Sequence, residues 1–217
     1  EYRLPLAEVP EPGRMFRLAV SIPAEAARWG FDGTTADASL SGNDGDLLGG
    51  AVLGAGIAGT PGLALDGIDD YMEVPDDKAL RLDGANGEGR AFTVAAWIRL
   101  DANAPLAGDD DEYTILQKGI WTRPPFVQFG VRGGAFRGLW ARIYSTDLTS
   151  HAYLRILPEE DLATLLPGQW RHVAFTRDAA TGIIKTYVDG QLNATATSSI
   201  GANTTPFNSF GRIQDTG

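Results

Sequence analysis

Two stretches of this 217-residue chain gather oxygen-bearing side chains at short spacing. Asp32, Asp37, Asn43, Asp44 and Asp46 crowd the first; Asp66, Asp69 and Asp70 crowd the second. Carboxylates and carbonyls on loops are the hard donors that Ca2+ takes. Asp32, Asp37, Asp44, Asp69 and Asp70 are therefore the candidate ligand set, with calcium as the candidate cofactor. The same aspartates serve equally as turn-formers that hydrogen-bond their own backbone, and the sequence leaves both readings open. A second group joins flat rings to polar forks. Trp121, Trp140, Arg142 and Tyr144, with Tyr153 nearby, offer stacking surface and hydrogen bonds to a ligand's hydroxyls. Aromatic residues on strands also fill cores, which is the competing explanation for these four.

Catalytic constellations are harder to assemble. The chain has no cysteine and two histidines, so a thiol nucleophile and a thiolate zinc site are excluded. There is no G-x-S-x-G elbow to expose a serine. Glycoside hydrolysis needs two carboxyls held roughly 5 to 9.5 Å apart across a cleft. Glu159-Glu160-Asp161 is contiguous and cannot line one face of a strand, and Asp109-Asp110-Asp111-Glu112 reads as a solvated loop. No catalytic residue is expected.

The elements that must position these groups are strands. Twenty-seven glycines and 12 prolines, without any low-complexity period, indicate many short strands joined by tight turns. Phe92 to Leu100 carries apolar residues at every even position, and Ala95 and Trp97 make its other face look covered as well. Tyr113–Gln117, Phe126–Val131, Leu139–Tyr144, Trp170–Arg177 and Ile183–Val188 follow, the last entering a two-residue hairpin turn at Asp189-Gly190. Pro158 to Leu166 is the one good helix candidate. Residues 1–25, punctuated by Pro5, Pro10, Pro12 and Pro23, read as a linker or an accessory strand over Met15–Ile22, and the domain proper as 26–217. A net charge of -10 repels phosphate backbones, which argues against nucleic acid. No apolar run approaches the roughly 20 residues of a membrane helix.

Several segments, in order, resemble the bacterial laminin-G-like jelly-roll family of the concanavalin A-like lectin/glucanase superfamily. They are Ala27-Arg28-Trp29-Gly30-Phe31-Asp32-Gly33, Asp37 through Gly45, Gly62 through Val74, Phe92 through Ile98, Ile115 through Gly119, Gly168 through Thr176, and Tyr187-Val188-Asp189-Gly190. The resemblance implies an all-β, two-sheet antiparallel sandwich with Trp29, Trp97 and Trp170 as anchors between the sheets. It also implies a structural role for His172 and a calcium near the first and closing strands. The superfamily's glucanase signature, E-x-D-x-x-E, does not occur here.

Members of the family close with a strand that pairs with the first one, and this sequence stops at Asp215-Thr216-Gly217 before it. An open edge is expected beside Ala27–Phe31, and open edges recruit strands. Three fillers stay open: a missing C-terminal part of the same protein, the Met15–Ile22 segment, or a strand-donating partner chain. The resemblance implies a non-catalytic, secreted or cell-surface module that binds a glycan or an extracellular protein in adhesion. An assembly subunit and an accessory domain of a glycoside hydrolase are the alternatives.

Overall fold

The structure, a computed structural model, describes residues 25–75, 77–80, 91–104, 108, 112–120, 123–134, 138–144, 151–155, 167–197 and 211–214. Met15–Ile22, Trp121 and the 158–166 helix candidate lie outside them. Thirteen strands run through the described residues: β1 (Asp46–Leu48), β2 (Val52–Ala55), β3 (Pro61–Ala64), β4 (Tyr71–Val74), β5 (Phe92–Ile98), β6 (Glu112–Ile120), β7 (Arg123–Arg132), β8 (Gly138–Tyr144), β9 (His151–Arg155), β10 (Arg171–Arg177), β11 (Ile183–Val188), β12 (Gln191–Thr197) and β13 (Gly211–Gln214).

They form a seven-stranded sheet ordered β1-β4-β13-β6-β7-β8-β9, a four-stranded sheet ordered β12-β11-β10-β5, and a small β2-β3 ribbon. Every pairing is antiparallel. The two larger sheets share one core, as the all-β sandwich reading requires. Val127, Phe129, Val131, Leu139, Ala141 and Ile143 point into it from β7 and β8, and Val173, Phe175, Ile184 and Val188 from β10 and β11. Alternation of period two puts these on one face of each strand. Phe175 stacks on Phe129 at a ring spacing of 5.7 Å and meets Phe92 edge-on at 5.3 Å. Each such ring contributes about 1.5–3 kcal/mol on burial.

The tryptophans depart from expectation. Phe92, Val94, Ala96 and Ile98 of β5 pack on the core, while the opposite face of the strand is open and Trp97 stands 52% exposed. Ala95 and Trp97 make the odd side of β5 largely apolar as well, so pattern alone does not say which face is covered. Trp97 meets His172 edge-on at 5.3 Å on that outer face, which puts this histidine outside the core. Trp170 is half-buried under the Arg99 guanidinium, 5.2 Å away. Trp29 is half-buried in a loop, joined to the fold by a single bridge to Asp37 and by its indole N–H donated to the Asn43 carbonyl at 2.9 Å. The interior is therefore built from phenylalanine and aliphatic residues.

β13 inserts between β4 and β6, so the C-terminal described residues lie inside the larger sheet. Among the described residues, β5 pairs only with β10 and is left with a free edge. A trough of about 2230 Å³ runs along it, walled by β5 and bordered on another side by Glu25–Phe31. At the β11–β12 hairpin Asp189 and Gly190 both take positive φ (47° and 79°), the geometry expected of the two-residue turn.

Candidate functional site

The two acidic stretches fold into different environments. In the first, Asp37 is saturated by its own chain. Its Oδ1 accepts from the Arg28 and Ser39 backbone N–H groups, both at 2.8 Å, and its Oδ2 from the Ser39 hydroxyl at 2.7 Å and the Asn43 N–H at 2.9 Å. Burial raises its pKa, but these hydrogen bonds together outweigh it and hold the carboxyl at about 2. Asp44 in turn accepts the Asp37 N–H at 2.8 Å, and Asn43 donates its amide to the Ala26 carbonyl at 2.7 Å. This is a loop knotted by carboxylates, with no oxygen of Asp37 left for a cation. Asp32 and Asp44 are exposed and, among the described residues, converge with no other pair of acids.

The second stretch is the turn from β3 to β4. Asp66 Oδ1 accepts the Ile68 N–H at 2.9 Å, Gly67 takes φ 81°, and Asp70 Oδ2 reaches back to the Asp66 N–H at 2.9 Å. One carboxylate oxygen from each of Asp66, Asp69 and Asp70 lies within 4.8 Å of the others, the one such triad among the described residues. Asp70 is only 4% exposed and its Oδ1 meets no donor. A buried polar atom left unmet costs about 1–3 kcal/mol, and a charged one more. Three oxygen donors with an unmet buried carboxylate oxygen fit a hard divalent cation, whereas the Asp37 loop does not. The predicted ligand set thus divides: Asp69 and Asp70 come together with Asp66, and Asp32, Asp37 and Asp44 fall away.

The outer face of the seven-stranded sheet holds the other candidate group. Leu139, Ala141 and Ile143 face the core, so Trp140 and Arg142 project from the opposite side of β8. Cross-strand register aligns Trp140 with Gly130 and Thr114, and Arg142 with Gln128 and Gln117. Gln128 donates to the Thr114 hydroxyl at 2.8 Å, Arg142 pairs with Glu112 at 2.9 Å, and Arg132 stands 3.5 Å from the same carboxylate. Trp140 is not the open platform its sequence position suggested. It is 7% exposed, and the Arg142 guanidinium lies 4.2 Å over its ring. Its buried indole N–H, however, finds no acceptor. Position 130 must be glycine, since a Cβ there would overlap the Tyr113 carbonyl, and so this row carries no side chain between Thr114 and Trp140.

Tyr144 closes β8, pairing through its backbone with Phe126 and His151. Glu112, Thr114 and Gln128 were missed by the sequence reading. A usable signal existed: Gln128 interrupts the apolar run of Phe126–Val131 at a period-two position, in step with Arg142 one strand away.

A sequence profile of the concanavalin A-like lectin/glucanases superfamily matches residues 66–217. No curated protein matches the chain. Among solved structures, it is similar to the binding domain of Paraclostridial Mosquitocidal Protein 1 (TM-score 0.63, 13% identity, covering 82% of this chain and 41% of that one). It is likewise similar to domain 4 of AbnA, an extracellular arabinanase of Geobacillus stearothermophilus solved with arabinotriose (TM-score 0.59, 17% identity, 87% and 82%). The receptor-binding domain of botulinum neurotoxin D gives a TM-score of 0.61 at 16% identity, with 84% and 42% covered. The chain spans less than half the length of the two toxin domains. At such identities the shared property is the fold.

Proposed function

Because the chain belongs to the concanavalin A-like lectin/glucanases superfamily, we propose that it is a non-catalytic extracellular module that binds a glycan on the outer face of its seven-stranded sheet. One observation carries this reading: the Trp140 indole N–H is buried, on the face of the sheet that carries the Arg142 guanidinium, yet meets no acceptor. A sugar hydroxyl supplies an acceptor there and can in turn donate to Glu112 or Gln128, while Arg142 offers further N–H donors. Relatives of the same fold include an arabinanase domain solved with arabinotriose and a neurotoxin whose cell entry depends on two ganglioside molecules. Their ligands support the glycan class without naming the sugar.

The test is a glycan array followed by calorimetry on any hit. Trp140→Phe keeps the ring and removes the N–H, and is expected to weaken binding about tenfold, equivalent to roughly 1.4 kcal/mol. Trp97→Ala, on the far sheet, should leave affinity unchanged. Absence of any glycan hit, or full affinity in Trp140→Phe, defeats the proposal.

The β5 edge, unpaired among the described residues, favours a second reading, assembly by strand addition, because such an edge bordering an apolar trough is a template for another strand. Light scattering separates the two: a stable oligomer dissociated by Val94→Pro supports assembly, and a monomer at all concentrations removes it.

A further inference from the structure

We propose that the turn Asp66–Asp70 is a binding site for one hard divalent cation, Ca2+ foremost, with Asp66, Asp69 and Asp70 as its side-chain ligands. Three observations converge on it. The three carboxylates share a space in which an oxygen of each lies within 4.8 Å of the others. Asp70 is almost wholly buried and its Oδ1 has no partner, although Oδ2 is engaged by the Asp66 N–H. None of the three forms an ion pair with a lysine or arginine among the described residues, so no cation of the chain itself balances them.

The neighbouring backbone keeps this space clear. Gly49 and Gly50, between β1 and β2, pack directly against Asp69 and Asp70 at φ 77° and 134°. A Cβ on Gly50 would stand 2.9 Å from Asp70 Oδ1, and one on Gly49 would overlap the Asp69 carbonyl. The donor set chooses the metal class. It consists of oxygens alone, with no histidine or cysteine in the group, which suits Ca2+ or Mg2+ and disfavours zinc and copper. The donors sit on an irregular turn, and Ca2+ accepts the uneven geometry that Mg2+ refuses. A bound cation would fasten the β1–β2 connection to the β3–β4 turn and give Asp70 Oδ1 its missing partner.

The experiment uses the full chain stripped with chelator, titrated with CaCl2 by calorimetry, with thermal melts run in parallel. One binding event per chain is expected, accompanied by a rise in Tm of several degrees. Asp69→Asn, an exposed position whose loss does not threaten folding, should weaken Ca2+ binding at least tenfold and abolish the rise. Asp70→Asn should do the same, and Asp32→Asn should change neither. Terbium luminescence competed by Ca2+ gives a readout independent of stability. Absence of binding at 10 mM Ca2+ by both methods (a concentration of about that order covers weak extracellular sites) overturns the proposal. Equal binding in Asp69→Asn, or loss of binding in Asp32→Asn, overturns it as well.

Discussion

Asp37 and Asp70 sit in loops that the sequence draws almost alike, each an aspartate among glycines and further acids, and the fold treats them in opposite ways. Around Asp37 the chain closes on itself and brings four donors to the two oxygens. Around Asp70 the chain brings one donor, buries the group, and leaves the second oxygen unmet. The first arrangement is finished by the polypeptide. The second asks for something from outside. A carboxylate count therefore says little about metal binding; what matters is how many lone pairs the backbone has already claimed.

The largest effect that can test this contrast comes from the glycine wall. Gly49→Ala forces a left-handed backbone on a residue with a side chain and drives its Cβ into the Asp69 carbonyl. A loss of roughly 3 kcal/mol or more is expected in chemical denaturation. Gly59→Ala, at φ 82° but with nothing within 4 Å, should cost only about 1 kcal/mol. Equal losses at the two sites would mean that close packing against the acidic turn counts for nothing.

Next in size is Asp37→Asn, expected to cost about 2 kcal/mol at neutral pH, because an amide offers one acceptor where the carboxylate offers two. Its pH signature is specific. The folded carboxyl titrates at about 2 against an ordinary 3.8, so its stabilisation is complete above pH 3.8 and is lost as pH falls through 2. Asp178 and Asp189 are lowered too, the first chiefly by hydrogen bonds from the Thr181 and Ala180 backbone, the second chiefly by the His172 N–H, and they slope the same way. Melts of Asp37→Asn between pH 4 and 2 should accordingly lose part of the acid sensitivity and keep the rest. An unchanged slope would remove Asp37 from its place as the organising group of its loop.

These two loops also mark how far the sequence could be read. Strand positions and the sandwich followed from short runs rich in β-branched and aromatic residues between turn signals, as in Phe92–Ile98 and Ile183–Val188. Which face meets the core was legible only where one side was polar. In β5 the odd side carries Ala95 and Trp97 beside Thr93 and so looks nearly as apolar as the even side, yet Trp97 faces out. The site residues depended on register. Trp140, Arg142, Gln128 and Glu112 lie on three strands, and only the pairing of β6, β7 and β8 brings them into contact. In the acidic stretches the deciding quantity was the number of backbone N–H groups turned toward each oxygen. Local sequence does not state that number, because the donors to Asp37 come from as far as Arg28 and Asn43.

The smallest effect is the most discriminating one. Asp44 touches the same loop, accepting the Asp37 N–H through Oδ1, but it is exposed and its contribution is a single hydrogen bond that asparagine reproduces. Asp44→Asn should therefore shift stability by no more than about 0.5 kcal/mol in chelator and leave any Ca2+-induced rise in Tm intact. If Asp44 were a metal ligand, as its spacing from Asp32 and Asp37 first suggests, the apo stability would again hardly move, but the Ca2+ response would vanish. Melting this one variant with and without Ca2+ thus asks each loop its own question, since among the described residues only the turn at Asp66–Asp70 holds a buried carboxylate oxygen that meets no donor.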